Sequence, residues 1–182
     1  MALLRSVWRY ATIVLPLLCL FGGRLVLTAQ SASEYELKAA FLYKFAGFVE
    51  WPSPAAGPLC IGIVGEDPFG AMLERVVKGK SINGRSFLIR RSKAARDLWD
   101  CQILFISSSE KSRFKSILDS LAGPILTVGD TPGFCEDGGT INLEVVDDRV
   151  RLRINPDAAE KARLRLSSKL LSLAIIVHPR EE

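Results

Sequence analysis

Apolar and polar positions along this chain change rhythm several times. Residues 11–21 form a continuous apolar run broken only by Pro16. From residue 34 the spacing becomes helical: Leu37, Ala40, Phe41, Phe45 and Phe48 share one face, interrupted by Lys44, and Pro52 closes the element. Ser33 and Glu36 fit a capping box at its start. Apolar runs of strand length then alternate with helical segments. Strands are predicted over 59–64, 86–90, 102–106 and 125–128, and helices over 68–77, 93–98 and from a Ser107-Ser108-Ser109 cap to about residue 121. A glycine-rich loop spans 129–139. Beyond it, 140–145 and 149–154 alternate strictly around Asp147-Asp148, as a hairpin with one buried face does. Asn155-Pro156 opens a last helical stretch, read as continuing from 164 to 177. Strands alternating with helices imply an α/β three-layer sandwich. Its sheet is mostly parallel with an antiparallel C-terminal hairpin edge, and helices lie on both faces.

The apolar run near the start belongs to a leader. Arg5 and Arg9 precede it and small residues surround 28–32, the pattern of a cleaved secretory signal peptide over 1–29, with the cut between 29 and 33. Arg24 interrupts the roughly 20 apolar residues that a spanning helix needs, against a retained anchor. Leu18 before Cys19 is too large for a lipoprotein cleavage site. The expectation is a periplasmic protein with a single domain over 33–178.

The leader also accounts for the basic composition. The chain has 24 Lys+Arg and 20 Asp+Glu; the leader holds three of the basic residues and no acidic one, which leaves 21 against 20. A chain so nearly neutral gives no support for nucleic-acid binding. About 150 residues remain, enough for one domain with one core.

Three cysteines remain beyond the leader, Cys60, Cys101 and Cys135. In an oxidising compartment a disulfide is the first reading, and an odd count leaves one thiol free or pairing between chains. Cys60 and Cys101 both sit at the start of predicted strands, so they either bridge neighbouring strands or pack as small buried hydrophobes. Cys135 lies in the glycine loop. The single histidine, His178, is four residues from the end, so no base is at hand for a nucleophile.

No motif carries catalysis, and no His/Cys/Asp set has metal-ligand spacing; no catalytic residue, metal or cofactor is expected. The turn after residue 64 resembles a phosphate loop but lacks the lysine and carries Glu66 and Asp67 where phosphate would sit. In open α/β sheets ligands lie beyond the carboxyl ends of strands. That rim would hold Glu66, Asp67, Ser107, Ser108, Gly129 and Asp130, a candidate small-ligand site. Arg149, Arg151 and Arg153 share one strand face and, with Lys161, Arg163, Arg165 and Lys169, form a basic surface or the solvated side of an edge strand. In the C-terminal stretch Leu166, Leu170, Leu173 and Ala174 make one apolar stripe, and Leu171 lies off it, where an exposed apolar side chain would mark an interaction site.

Four segments together resemble one family. They are the helix Tyr35-Glu36-Leu37-Lys38-Ala39-Ala40-Phe41-Leu42-Tyr43-Lys44-Phe45 with Trp51-Pro52; the strand Leu59-Cys60-Ile61-Gly62-Ile63-Val64-Gly65 with Asp67-Pro68-Phe69; Leu126-Thr127-Val128-Gly129-Asp130 with Gly133-Phe134 and Gly138-Gly139; and Asn155 with Ser167-Ser168-Lys169-Leu170-Leu171. The pattern is similar to the YfiR/HmsC family of small periplasmic proteins. The resemblance implies a non-enzymatic α/β repressor, often dimeric, that binds the periplasmic part of an inner-membrane diguanylate cyclase. An outer-membrane OmpA-like lipoprotein sequesters such repressors, and the output is cyclic-di-GMP control of biofilm formation. It also implies a Cys60–Cys101 disulfide. Some relatives carry another cysteine shortly after the position of Cys135; none stands between 138 and 143 here, so Cys135 is expected to be free or intermolecular. Leu166, Lys169, Leu170 and Leu171 are the expected partner contacts. A periplasmic small-molecule sensor using the strand-end rim is the alternative.

Overall fold

The computed structural model describes residues 34–52, 57–147 and 149–179. The leader, the cut between 29 and 33, the Ser33 cap and Asp148 of the hairpin turn lie outside them. The chain divides into two compact units, Met1–Tyr35 and Glu36–Glu182, and the second carries the fold.

The described residues open with helix α1 (residues 34–45), which leads into a two-residue strand β1 (Val49–Glu50). Then come β2 (Leu59–Val64), α2 (Ala71–Val77), β3 (Phe87–Ser92), β4 (Ile103–Ile106), α3 (Phe114–Ser120), β5 (Leu126–Gly129), β6 (Ile141–Val146), β7 (Arg149–Ile154), α4 (Pro156–Lys161), β8 (Arg165–Leu166), α5 (Ser168–Leu171) and β9 (Ile175–Ile176). Short 3-10 turns occupy Ala95–Leu98 and Ser108–Glu110. Seven strands form one sheet in the order β3-β2-β4-β5-β6-β7-β9, and β1 pairs with β8 apart from it. All ladders of the large sheet are parallel except β6–β7. The architecture is the expected α/β sandwich, and the hairpin has β9 beyond it, so the last strand and not the hairpin forms that edge.

Register explains the burial. Ile61, Ile103 and Leu126 align in one row across the sheet, and Ile63, Phe105, Val128, Ile141 and Ile154 align in the next row on the same face. Phe69 packs edge-on to Phe105 at 4.8 Å, and Tyr43 of α1 meets Phe87 at 5.5 Å on that face. On the other face Cys60, Val64, Leu104 and Ile106 form a cluster with Phe114 and Ile117 of α3 and with Leu98. β2, β4 and β5 are buried on both faces, hence the unbroken apolar sequences of β2 and β4; β5 admits Thr127, whose hydroxyl is bonded to Thr140. Helices of four to seven residues are unstable alone; packing on the sheet is what holds them.

Two glycine positions set the close approaches. Gly65 ends β2 at φ 91°, and a Cβ there would lie 2.5 Å from Ser109 Oγ and 2.6 Å from Glu110 Oε1. Phe134, wholly buried, is seated between Gly129 and Gly139, where added Cβ atoms would fall 2.6 Å and 2.1 Å from its ring. Its ring also contacts Phe114 at 5.5 Å. The glycine loop is therefore a slot built around one aromatic plug. Asn155, also fully buried, ties the loop to α4: its Oδ1 accepts from Ala158 N–H at 2.9 Å and its Nδ2 donates to the Cys135 carbonyl at 2.8 Å.

The predicted helix boundaries need three corrections. Asp67 Oδ1 accepts from Phe69 N–H at 2.8 Å, which makes 67–69 a turn, so α2 begins at Ala71 and not Pro68. The segment after Ser107 splits into the 3-10 turn and α3, although Ser107 caps it as expected, accepting from Ser109 N–H. The stretch from 164 to 177 is not one helix. α4 ends with Arg163 at φ 58°, Arg163 N–H on Glu160 C=O and Leu164 N–H on Ala159 C=O, a Schellman-type stop made without glycine. β8, α5 and β9 come after it.

Candidate functional site

Cys60 and Cys101 are joined in a disulfide across β2 and the approach to β4, with Cα atoms 4.5 Å apart. The sheet makes this possible: β2 and β4 are neighbours in parallel register. Among the described residues Cys135 is the free cysteine, and it has no exposure. A thiol enclosed in this way is not placed to bridge to a second chain. Burial first, and then the neighbouring Glu136, push its pKa up to about 12, which is the signature of an inert structural thiol.

The strand-end rim is filled by the protein's own side chains. Asp67 is taken by Arg91 at 2.5 Å and Asp130 by Lys38 at 3.1 Å, the latter with side chains only 3% and 2% exposed. Ser109 Oγ accepts from Glu66 N–H at 3.0 Å, over Gly65. Ser107 is buried and serves its turn; Ser108 and Glu66 remain exposed. A cleft of about 280 Å³ lies instead among α3, the glycine loop and α4, lined by Thr127, Asp137, Thr140 and Lys161, with an adjoining one of about 500 Å³ toward Pro179. Neither includes a rim residue. Among the described residues no group of three His, Cys, Asp or Glu side chains is gathered as a metal site requires. His178 is exposed and faces Asp157 at 2.9 Å.

The four expected partner contacts divide. Leu170 is buried in the core, because Ser167 caps α5 and turns that side chain inward. Leu166 is half-buried in β8 opposite Val49. Those two residues hold the domain together and present little to a partner. Lys169 is exposed, its Nζ 6.0 Å from the Phe48 ring centroid, and Leu171 is half-buried. Beyond α5, Leu173 is 69% exposed, and both residues of β9, Ile175 and Ile176, are exposed as well. A helical reading of 164–177 put Leu173 on the inner stripe; the actual turn after α5 puts it outside. Of the basic stripe, Arg149 and Arg151 are exposed, whereas Arg153 is held by Glu136 at 2.7 Å.

Fold and disulfide define a small α/β domain with a parallel-rich sheet. The sequence profile of the YfiR/HmsC-like family matches residues 35–175, and the chain belongs to that family. A search of curated proteins returned no match. Among solved structures, a conserved domain protein from Vibrio cholerae O1 biovar El Tor is 12% identical with a TM-score of 0.51, over 78% of this chain and 59% of that one. The ABC domain in complex with L-Trp from Streptococcus pneumonia is 10% identical with a TM-score of 0.49, over 65% of this chain and 55% of that one. This chain thus spans just over half the length of each, and the Vibrio likeness is one of fold alone. Among the described residues no helix is long and apolar enough to cross a membrane.

Proposed function

We propose that the protein is a non-enzymatic periplasmic regulator that holds an inner-membrane diguanylate cyclase inactive by binding its periplasmic sensor region. It would thereby control cyclic-di-GMP and biofilm formation, with homodimers and an outer-membrane OmpA-like lipoprotein as further partners. The observation that carries this reading is the family match across 35–175; the disulfide fits an oxidising compartment. Repression follows from population shift: the regulator binds one state of the sensor better than the other, and only that difference moves the switch. The contact residues we assign are Lys169, Leu171, Leu173, Ile175 and Ile176, exposed or half-buried apolar side chains with a cationic neighbour. Leu173→Asp tests it: Leu173 is mostly solvent-exposed, so folding is kept while cyclic-di-GMP rises to the level of a deletion strain. Wild-type cyclic-di-GMP in that variant refutes the surface, and wild-type levels in the deletion strain refute the function.

A small-molecule sensor is the second reading, favoured by the cleft beside Thr127, Thr140 and Lys161 and not by the strand-end rim. Native mass spectrometry of protein purified from its own envelope, with a retained small molecule, would favour it.

A further inference from the structure

β3 is a free edge of the seven-stranded sheet. In a parallel ladder the N–H and C=O of one residue point to the same side, and successive residues alternate. Leu59 N–H donates to Ser86 C=O at 2.8 Å and Gly65 N–H to Ser92 C=O at 3.1 Å, so even-numbered residues of β3 face β2. The backbone groups of Phe87, Ile89 and Arg91 therefore point outward, and among the described residues they make no hydrogen bond. Charged side chains normally guard such an edge. Here they are folded back onto the domain. Arg90 is held by Asp100 at 2.5 Å and by the Asp97 carbonyl. Arg91 is held by Asp67 at 2.5 Å, Glu74 at 2.7 Å and the Gly70 carbonyl at 3.0 Å. The six-residue edge is open, and its own two arginines are turned back onto the domain.

Beside it lies a groove of about 750 Å³ between β3 and the loop leaving α2. Its floor includes Phe87 and Ile89, and its rim carries exposed Arg75, Lys78 and Lys80. The rim's acid, Glu74, is already engaged by Arg91, which holds its carboxyl below the ordinary range. Lys80 also lies over the Tyr43 ring at 4.6 Å.

We propose that β3 is a docking edge for an extended acidic segment of a protein partner, which joins the seven-stranded sheet as an eighth strand. Side chains on one face of that strand run over Phe87 and Ile89 and bring carboxylates to Arg75, Lys78 and Lys80, a reach that suits glutamate. Those on the other face meet the exposed Leu88 and are apolar. A second copy of this chain fits less well, because it would bring two cationic rims together. The site lies at the opposite end of the sheet from β9 and does not depend on the regulator reading.

The test uses purified protein and a fluorescein-labelled six-residue peptide alternating Glu and Val, with a Lys–Val peptide as control. Fluorescence polarisation is expected to show saturable binding of the Glu–Val peptide alone. The exposed double reversal Arg75→Glu/Lys78→Glu is expected to weaken it about tenfold, the scale of two surface ion pairs turned repulsive. Hydrogen exchange is expected to slow at the amides of Phe87, Ile89 and Arg91 when peptide is bound. Absence of binding, binding that ignores the double reversal, or binding that leaves those amides unchanged overturns the proposal. So does self-association through β3 that excludes the peptide.

Discussion

Gly139→Ala isolates the packing of the aromatic plug. The new Cβ would lie 2.1 Å and 2.3 Å from two ring carbons of Phe134, which has no exposure and a second wall at Gly129. The backbone of Gly139 is not in the left-handed region, so alanine meets no conformational barrier and would by itself gain about 0.4–1 kcal/mol from reduced freedom of the unfolded chain. Overpacking works against this with about 1–3 kcal/mol or more, because neither the ring nor the β5 backbone has room to retreat. A net loss of about 1–2 kcal/mol is expected. Phe134→Ala alone is expected to lose about 3–5 kcal/mol through the cavity it leaves. In the double variant the alanine methyl occupies space the ring has vacated, so the two losses fall short of their sum by about 1–2 kcal/mol. Urea unfolding followed by tryptophan fluorescence, with equal m-values across the set, measures all four corners. Gly139→Ala at wild-type stability, or strictly additive losses, would refute the slot.

Replacing Cys60 or Cys101 with serine is expected to lower stability by about 4 kcal/mol, the chain-entropy value for a bridge spanning 41 residues; thiol titration of the unreduced, denatured protein prepared without residues 1–33 should count one thiol, and three would end the bridge. Cys135 has its pKa raised from 9.0 to about 12, so the stability this burial confers is complete below pH 9 and is lost as pH climbs from there through 12; urea midpoints across that range should fall more steeply in wild type than in Cys135→Ala. Asn155→Ala removes an α4 cap and a bond to the Cys135 carbonyl and is expected to cost about 2–3 kcal/mol by the same urea assay. Asp130→Ala strips the carboxylate from a lysine 3% exposed and should cost about 3–5 kcal/mol, with no loss refuting the weight given to that pair.

Legibility followed burial and periodicity. β2 and β4 are apolar on every residue, and β5 on all but Thr127, because both faces are covered, and a run of that length bounded by turn residues reads directly as strand. The hairpin read equally well, since its apolar and polar residues alternate, although Asn142 on the polar face of β6 is as buried as Ile141 and Leu143. The C-terminal stretch misled because its apolar spacing is helical while its stop signal is silent. Arg163 takes the left-handed position where glycine is the usual marker. Ser167, a cap that the sequence does display, was hidden inside the supposed helix. The strand-end rim misled differently. Acidic and hydroxyl residues stood where a ligand would lie, but Lys38 and Arg91 come from distant segments to claim Asp130 and Asp67. Pairing across 92 residues leaves no local trace. The slot for Phe134 was visible only as glycines without a purpose; their purpose is a ring that arrives from the same loop.

The proposed regulator meets its membrane signalling enzyme through the exposed residues around position 173. A photo-crosslinking amino acid at position 173, activated in intact cells with subsequent identification of the attached protein, tests it most directly. The account predicts an inner-membrane protein with a diguanylate cyclase domain, joined through its periplasmic part and lost when Ile175 and Ile176 are changed to aspartate. A crosslink confined to soluble proteins, alongside unchanged cyclic-di-GMP in the deletion strain, would contradict it.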